Sequence, residues 1–325
     1  MEMRRAGWSV LALVIGVGLA VILPRALNGG GKVARADSLC VSPGGTGGCH
    51  GSIQDAVDAA VDGDTIRVAE GTYYETVVLT KSVTLEGGWK ADFSTRDWET
   101  HLTTIDAQRA GSVIRVDGPL SPTIEGFVIT GGDNTAHLGW GGGILVQGDW
   151  GGSGRAVIRH NVITDNVACQ GSSCQGYGGG ILVYSSRSVV EHNTVISNLA
   201  RTEGSLGGKG GGIAIWGYPS ESTIAHNVVI SNQALLSATG EFAAGEGGGV
   251  WSDGDAVLVD NHIRGNVAAV KGPGYGGGVY AGGMLYDNQI VSNTASVTGT
   301  GKGGGVYAHY VTGFETNVVQ GNVAS

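Results

Sequence analysis

From Val157 onward the apolar positions keep a fixed frame around asparagines. Three residues before one asparagine stand Ile158, Val190, Ile224, Leu258, Leu285 and Phe314. Two residues after it stand Ile163, Val195, Val229, Ile263, Ile290 and Val319. Both columns are wholly apolar, whereas the column directly after the asparagine (Val162, Thr194, Val228, His262, Gln289, Val318) is mixed. Short β-branched runs punctuated by Gly and Asn, with no sustained 3.6-residue period, predict short strands rather than helices. The asparagines come in pairs five apart: Asn161 and Asn166, Asn193 and Asn198, Asn227 and Asn232, Asn261 and Asn266, Asn288 and Asn293, Asn317 and Asn322. A constant inner spacing with variable outer spacing describes a rigid element flanked by loops of different length.

Six triple-glycine runs, beginning at Gly141, Gly178, Gly210, Gly247, Gly276 and Gly303, precede Ile144, Ile181, Ile213, Val250, Val279 and Val306. Successive runs are 37, 32, 37, 29 and 27 residues apart. Periods of this size indicate a solenoid. An all-β parallel solenoid follows, one coil per repeat, stacked at ~4.8 Å. Roughly nine coils are expected when the irregular early ones are included. Each inward asparagine can donate to and accept from the next, so both series read as structural ladders. The glycines permit tight bends and close backbone approach. A flexible linker would not hold them in phase with aliphatics and asparagines.

These runs and the Ile/Val-x-x-Asn segments resemble the right-handed, single-stranded parallel β-helix superfamily, the pectate-lyase-like fold. They also resemble polymorphic outer membrane protein repeats of bacterial surface adhesins. The likeness covers roughly Ser52 to Ser325. It departs from the surface-protein pattern, which has Phe where this chain has Ile163, Val195 and Val229. The resemblance implies a sheet face that serves as a polysaccharide cleft. In its enzymes a lyase uses Arg or Lys as base with carboxylates holding Ca²⁺, and a hydrolase uses two carboxylates. The Asp-Asp, Gly-His-Gly and Arg-Ile-Lys signatures of the galacturonase branch do not occur here. No cofactor is expected, and Ca²⁺ enters only for a lyase.

Ahead of the repeats, Arg4 and Arg5 precede an apolar run, and Ala34-Arg35-Ala36 has the form of a signal-peptidase site. Residues 1–36 are expected to be a cleaved signal peptide or an uncleaved membrane anchor; both readings place the rest outside the cytoplasm. Residues 37–51 form a Gly/Cys-rich lead-in, and 52–325 the solenoid. Cys40, Cys49, Cys169 and Cys174 are disulfide candidates, the two local pairings being favoured among three. Ser52 to Val61 has the cap signature and spacing of a short amphipathic helix covering the first coil. Gly126 and Gly131, also five apart, are placed in the two asparagine positions of a transitional coil. The chain stops just after a repeat, so the reading expects a longer product or something that covers the last coil. A net charge of −9 argues against nucleic acid. A monomer is expected, meeting a membrane only through residues 1–36.

Alternation places the second residue after each glycine run on the outer face. That column (Leu145, Leu182, Ala214, Trp251, Tyr280, Tyr307), with Tyr184 and Trp216 further along and Trp140, Tyr177 and Tyr275 before the glycines, predicts an exposed aromatic strip. Such a strip suits sugar faces or a cell-surface partner, but aromatic stacking between coils also explains it. Asp253 and Asp255 are weak candidates for catalysis. His160, His192 and His226, each directly before an asparagine, should stack outward as a solvated column rather than a metal site. Three functions remain open: polysaccharide or surface binding without turnover, a polysaccharide lyase or hydrolase, and a structural rod.

Overall fold

A computed structural model describes residues 38–149, 151–218 and 221–325. The expected leader, residues 1–36, lies outside the described residues. One coil shows the plan. Strand Ile181–Tyr184 turns through Ser185–Ser188 into Val189–Glu191, bends at Asn193 into Thr194–Ile196, and bends again at Asn198. The chain then runs outward along Leu199–Gly204, returns through Gly208–Lys209, and enters the next coil after the glycine run at Ile213.

Like segments stack in register. Ile144, Ile181, Ile213, Val250, Val279 and Val306 are successive parallel partners. The second strand of each coil stacks likewise, and the third builds a nine-stranded parallel sheet. The outward and return segments build sheets of five and four strands. In the last two coils the chain runs without a turn through Val279–Tyr286 and Val306–Glu315. The core is an aliphatic stack: Ile144, Ile158, Ile163 and their counterparts through Ile290 are fully buried.

The two asparagine corners explain why the inner spacing is constant. Asn161, Asn193, Asn227 and Asn261 each donate from Nδ2 to the Oδ1 of the asparagine one coil on, at 3.1, 3.0, 3.1 and 2.9 Å. Asn288 continues the row to Asn317, and Asn166, Asn198, Asn232, Asn266, Asn293 and Asn322 form the second row in the same way. The residue before each asparagine is left-handed: φ is 53° at His160, 53° at His192, 54° at His226 and 52° at Asp260. The chain thus leaves one sheet for the next at a position whose backbone groups the ladder amide must satisfy.

This geometry corrects the assignment of Gly126 and Gly131. Phe127 and Gly132 donate their backbone N–H to the Oδ1 of Asn161 and Asn166, at 3.0 and 2.9 Å, so they hold the asparagine places. The two glycines occupy the preceding left-handed positions, with φ of 81° and 71°. In the triple-glycine run both sterics and φ matter. Gly210 has φ 64°, and a Cβ on Gly212 would come within 2.7 Å of the Gly249 oxygen.

At the other end, helix Ile53–Ala59 buries Ile53, Ala56 and Val57 on the first coil. Ser52 Oγ accepts from the Asp55 N–H at 3.1 Å, and the Glu75 carboxylate accepts from the N–H groups of Ile53 and Gln54. Both local disulfides form, Cys40–Cys49 and Cys169–Cys174.

Candidate functional site

The outer face of the glycine-led strands carries the predicted aromatics, but not as an exposed strip. Leu145, Leu182, Ala214 and Trp251 form a second buried cluster, with Trp251 only 1% exposed. Trp140, Tyr177, Tyr184, Trp216 and Tyr280 are half-buried against it. The cover comes from the chain itself. The first glycine of each run doubles back over the strand it leads into, so a Cβ on Gly247 would lie 2.9 Å from Trp251 Cβ. Trp251 is therefore excluded from stacking on a sugar.

The rings pack on one another. Trp216 stacks on Tyr177 at 4.8 Å and meets Trp140 edge-on at 5.3 Å and Tyr184 at 5.0 Å. Further along, Tyr280 stacks on Tyr307 at 5.2 Å, and Tyr275 meets Tyr307 at 5.3 Å. Lys209 Nζ lies 4.6 Å over the Trp251 ring and 3.4 Å from Glu246, whose carboxylate also accepts from Trp251 Nε1. Burial first, then the carboxylates of Glu246 and Asp253 among its neighbours, pushes Tyr280 up to about 12.

Two clefts flank this ring cluster. One, of about 320 Å³, is lined by Tyr184, Trp216, Gly217, Tyr218, Asp253, Gly254 and Asp255. It brings together two of the aromatics and both aspartates singled out by sequence. It adds Tyr218, a turn residue outside every repeat column, whose side chain is 74% exposed. The other, of about 470 Å³, lies beyond Trp140 and includes Arg115, Asn134, His137 and Gln147. There Arg115 pairs with Asp117 at 3.2 Å.

The histidine column lies on a different corner. His160, His192 and His226 stack at ring separations of 5.2 and 4.7 Å, and Trp98, from the loop between strands Thr84–Trp89 and Thr103–Asp106, stacks on His160 at 4.7 Å. Asp260 ends the column, 3.0 Å from His226 Nδ1. Burial first, then His192 and Arg159, holds His160 below the usual imidazole range, with Glu125 and Glu191 pulling the other way. The loop is pinned by Arg96, which reaches Glu125 at 2.7 Å and the Gly87 carbonyl at 3.0 Å; Arg159 also bonds Glu125. Burial alone would raise the Glu125 carboxyl, but these two arginines outweigh it and hold it low. Among the described residues, no three His, Cys, Asp or Glu side chains converge as a metal site.

Residues 128–229 match the family model for the right handed beta helix region. The fold is a right-handed parallel β-helix. No curated protein matches the chain. Among solved structures it is similar to alginate lyase from Paenibacillus sp. str. FPU-7, at 11% identity and TM-score 0.37, covering 90% of this chain and 100% of that one. It is also similar to pectin methylesterase from Aspergillus niger, at 16% identity and TM-score 0.37, covering 90% and 87%. The carrot pectin methylesterase stands at 14% identity and TM-score 0.40, covering 86% and 82%.

Proposed function

We propose that this β-helix works outside the cytoplasm and binds extended polysaccharide, without turnover, in the cleft beside Trp216. The observation that carries this reading is the cleft's lining. Tyr184, Trp216 and the exposed Tyr218 offer ring faces and edges, with Asp253 and Asp255 beside them as hydrogen-bond acceptors. The cleft lies where strands Ile181–Tyr184, Ile213–Trp216 and Val250–Ser252 end, in a parallel sheet that continues to further coils on both sides. Two disulfides fit an oxidising compartment. Of the basic groups on this side, Lys209 pairs with Glu246 and Arg187 with Glu221. The reading invokes no cofactor.

The full chain should retain one or more members of a panel of plant, algal and bacterial polysaccharides, without releasing reducing ends or unsaturated products. Tyr218→Ala, at an exposed position, should weaken retention by roughly tenfold. Product release that disappears in Asp253→Asn would replace this reading with a lyase or hydrolase. A structural rod is the second reading, favoured by the burial of Trp251 and the ring-on-ring packing. It predicts that Tyr218→Ala changes no binding at all.

A further inference from the structure

At one point on this face the ring cluster joins three things: an aromatic ring, a carboxylate and an ammonium. Lys209 Nζ sits 4.6 Å over Trp251 and 5.6 Å over Tyr177, with Glu246 at 3.4 Å. Lys302 Nζ sits 5.7 Å over Tyr275. Further along the same coils, the cleft has the first two parts without the third. It has the rings of Tyr184, Trp216 and Tyr218 and the carboxylates of Asp253 and Asp255, with no basic residue in its lining. Neither aspartate forms an ion pair among the described residues, and both are exposed.

We infer that the cleft takes an amine-bearing glycan, whose ammonium groups supply the third part of the arrangement between Asp253, Asp255 and the rings. The inference rests on the polysaccharide reading and specifies its sugar. A cation over an aromatic face gains from the ring quadrupole, and the gain grows with desolvation. A uronate in the same place would set like charges against each other. The surroundings act in the same direction: Glu246 and Asp253 both oppose ionisation of the neighbouring Tyr280, and the chain carries a net charge of −9 that attracts polycations from a distance.

Ser185 is 1% exposed, and its Oγ has no hydrogen-bond partner. It lies directly against Gly217, at a point where a Cβ on Gly217 would collide with it. Gly217, which lines the cleft and has φ 93°, leaves the room that this buried hydroxyl occupies.

Three oligosaccharides of equal length test the inference against the full chain by calorimetry: a glucosamine oligomer, its N-acetylated counterpart and an oligogalacturonate. The glucosamine oligomer should bind about tenfold more tightly than the N-acetylated one. That margin should shrink with added salt and vanish in Asp253→Asn/Asp255→Asn, leaving the weaker binding of the neutral chain in place. Equal binding of the first two, or preference for the oligogalacturonate, overturns the charge inference while the polysaccharide reading stands. An unchanged margin in the double variant overturns it as well, because the amine is then read elsewhere. Binding of none of the three by a protein that also ignores the wider panel removes both readings.

Discussion

Asn227 is bonded on every side. Its Oδ1 accepts from the backbone N–H and Nδ2 of Asn193 at 3.0 Å each, and its Nδ2 donates to the Val190 carbonyl at 2.7 Å and to Asn261 at 3.1 Å. The side chain is fully buried. Asn227→Ala removes one residue's amide and strands several buried polar groups of other coils. Each costs about 1–3 kcal/mol when unsatisfied, so a loss of about 3–5 kcal/mol is expected from the urea midpoint. Asn227→Asp should fare no better, since a carboxylate cannot donate to Asn261 and places a charge in a buried row. A change below about 1 kcal/mol would show that water fills the gap, and that the ladder contributes register rather than stability. Arg201 raises the same question with a cation. It is fully buried, and its guanidinium bonds the carbonyls of Glu203, Gly207 and Ser172, which ties the Cys169–Cys174 loop to the next coil.

At the scale of elements, the histidine column links a loop to a corner. Trp98 lies on His160, His160 on His192, and His192 on His226, while Arg96 and Arg159 share Glu125 beside them. Folding holds His160 below its ordinary value. As pH falls below the unfolded value of about 6.5, the unfolded chain takes up a proton that the folded column resists. Stability from this group is therefore present above that point and lost on acidification, until pH passes below the depressed folded value. The open edge of the ring is screened by solvent, so a slope of about a few tenths of a kcal/mol per pH unit is expected. Urea midpoints at pH of about 7.5 and 5.5 bracket this window and stay above the range in which carboxylates such as Glu125 titrate. His160→Asn suits the left-handed backbone and removes the titration; it should flatten the dependence, and an undiminished slope would assign it to other groups. The column itself was legible, because the residue before each asparagine recurs with the repeat. Trp98 on top of it was not, since it comes from a loop without periodicity. Tyr218 escaped for the same reason. Trp251 shows a different limit: alternation tells which face a side chain takes, but not that the glycine run doubles back over it.

For the whole β-helix, the sequence pattern reaches furthest where each residue repeats the task of its counterpart one coil away. The Ile144, Ile158 and Ile163 columns and both asparagine rows lie where their spacing put them. The transitional coil is harder, because two registers one residue apart both preserve a spacing of five; the bond from the Phe127 N–H to Asn161 decides between them. This construction also limits how far a disturbance travels. In a solenoid each coil contacts its neighbours, so stability is roughly a sum of coil and interface terms. The Cys40–Cys49 disulfide closes the segment that follows strand Ser38–Val41, and that strand pairs with Thr65–Ala69 beside helix Ile53–Ala59. Replacing both cysteines by serine in the full chain should cost the end of the β-helix about 2–3 kcal/mol. Amide hydrogen exchange should then quicken in Ser38–Val41, Ile53–Ala59 and Thr65–Ala69, while Ile163, Val195 and Val229 keep their protection. A uniform rise along the chain would mean that the coils unfold as one cooperative body, and the neighbour-only account would fail.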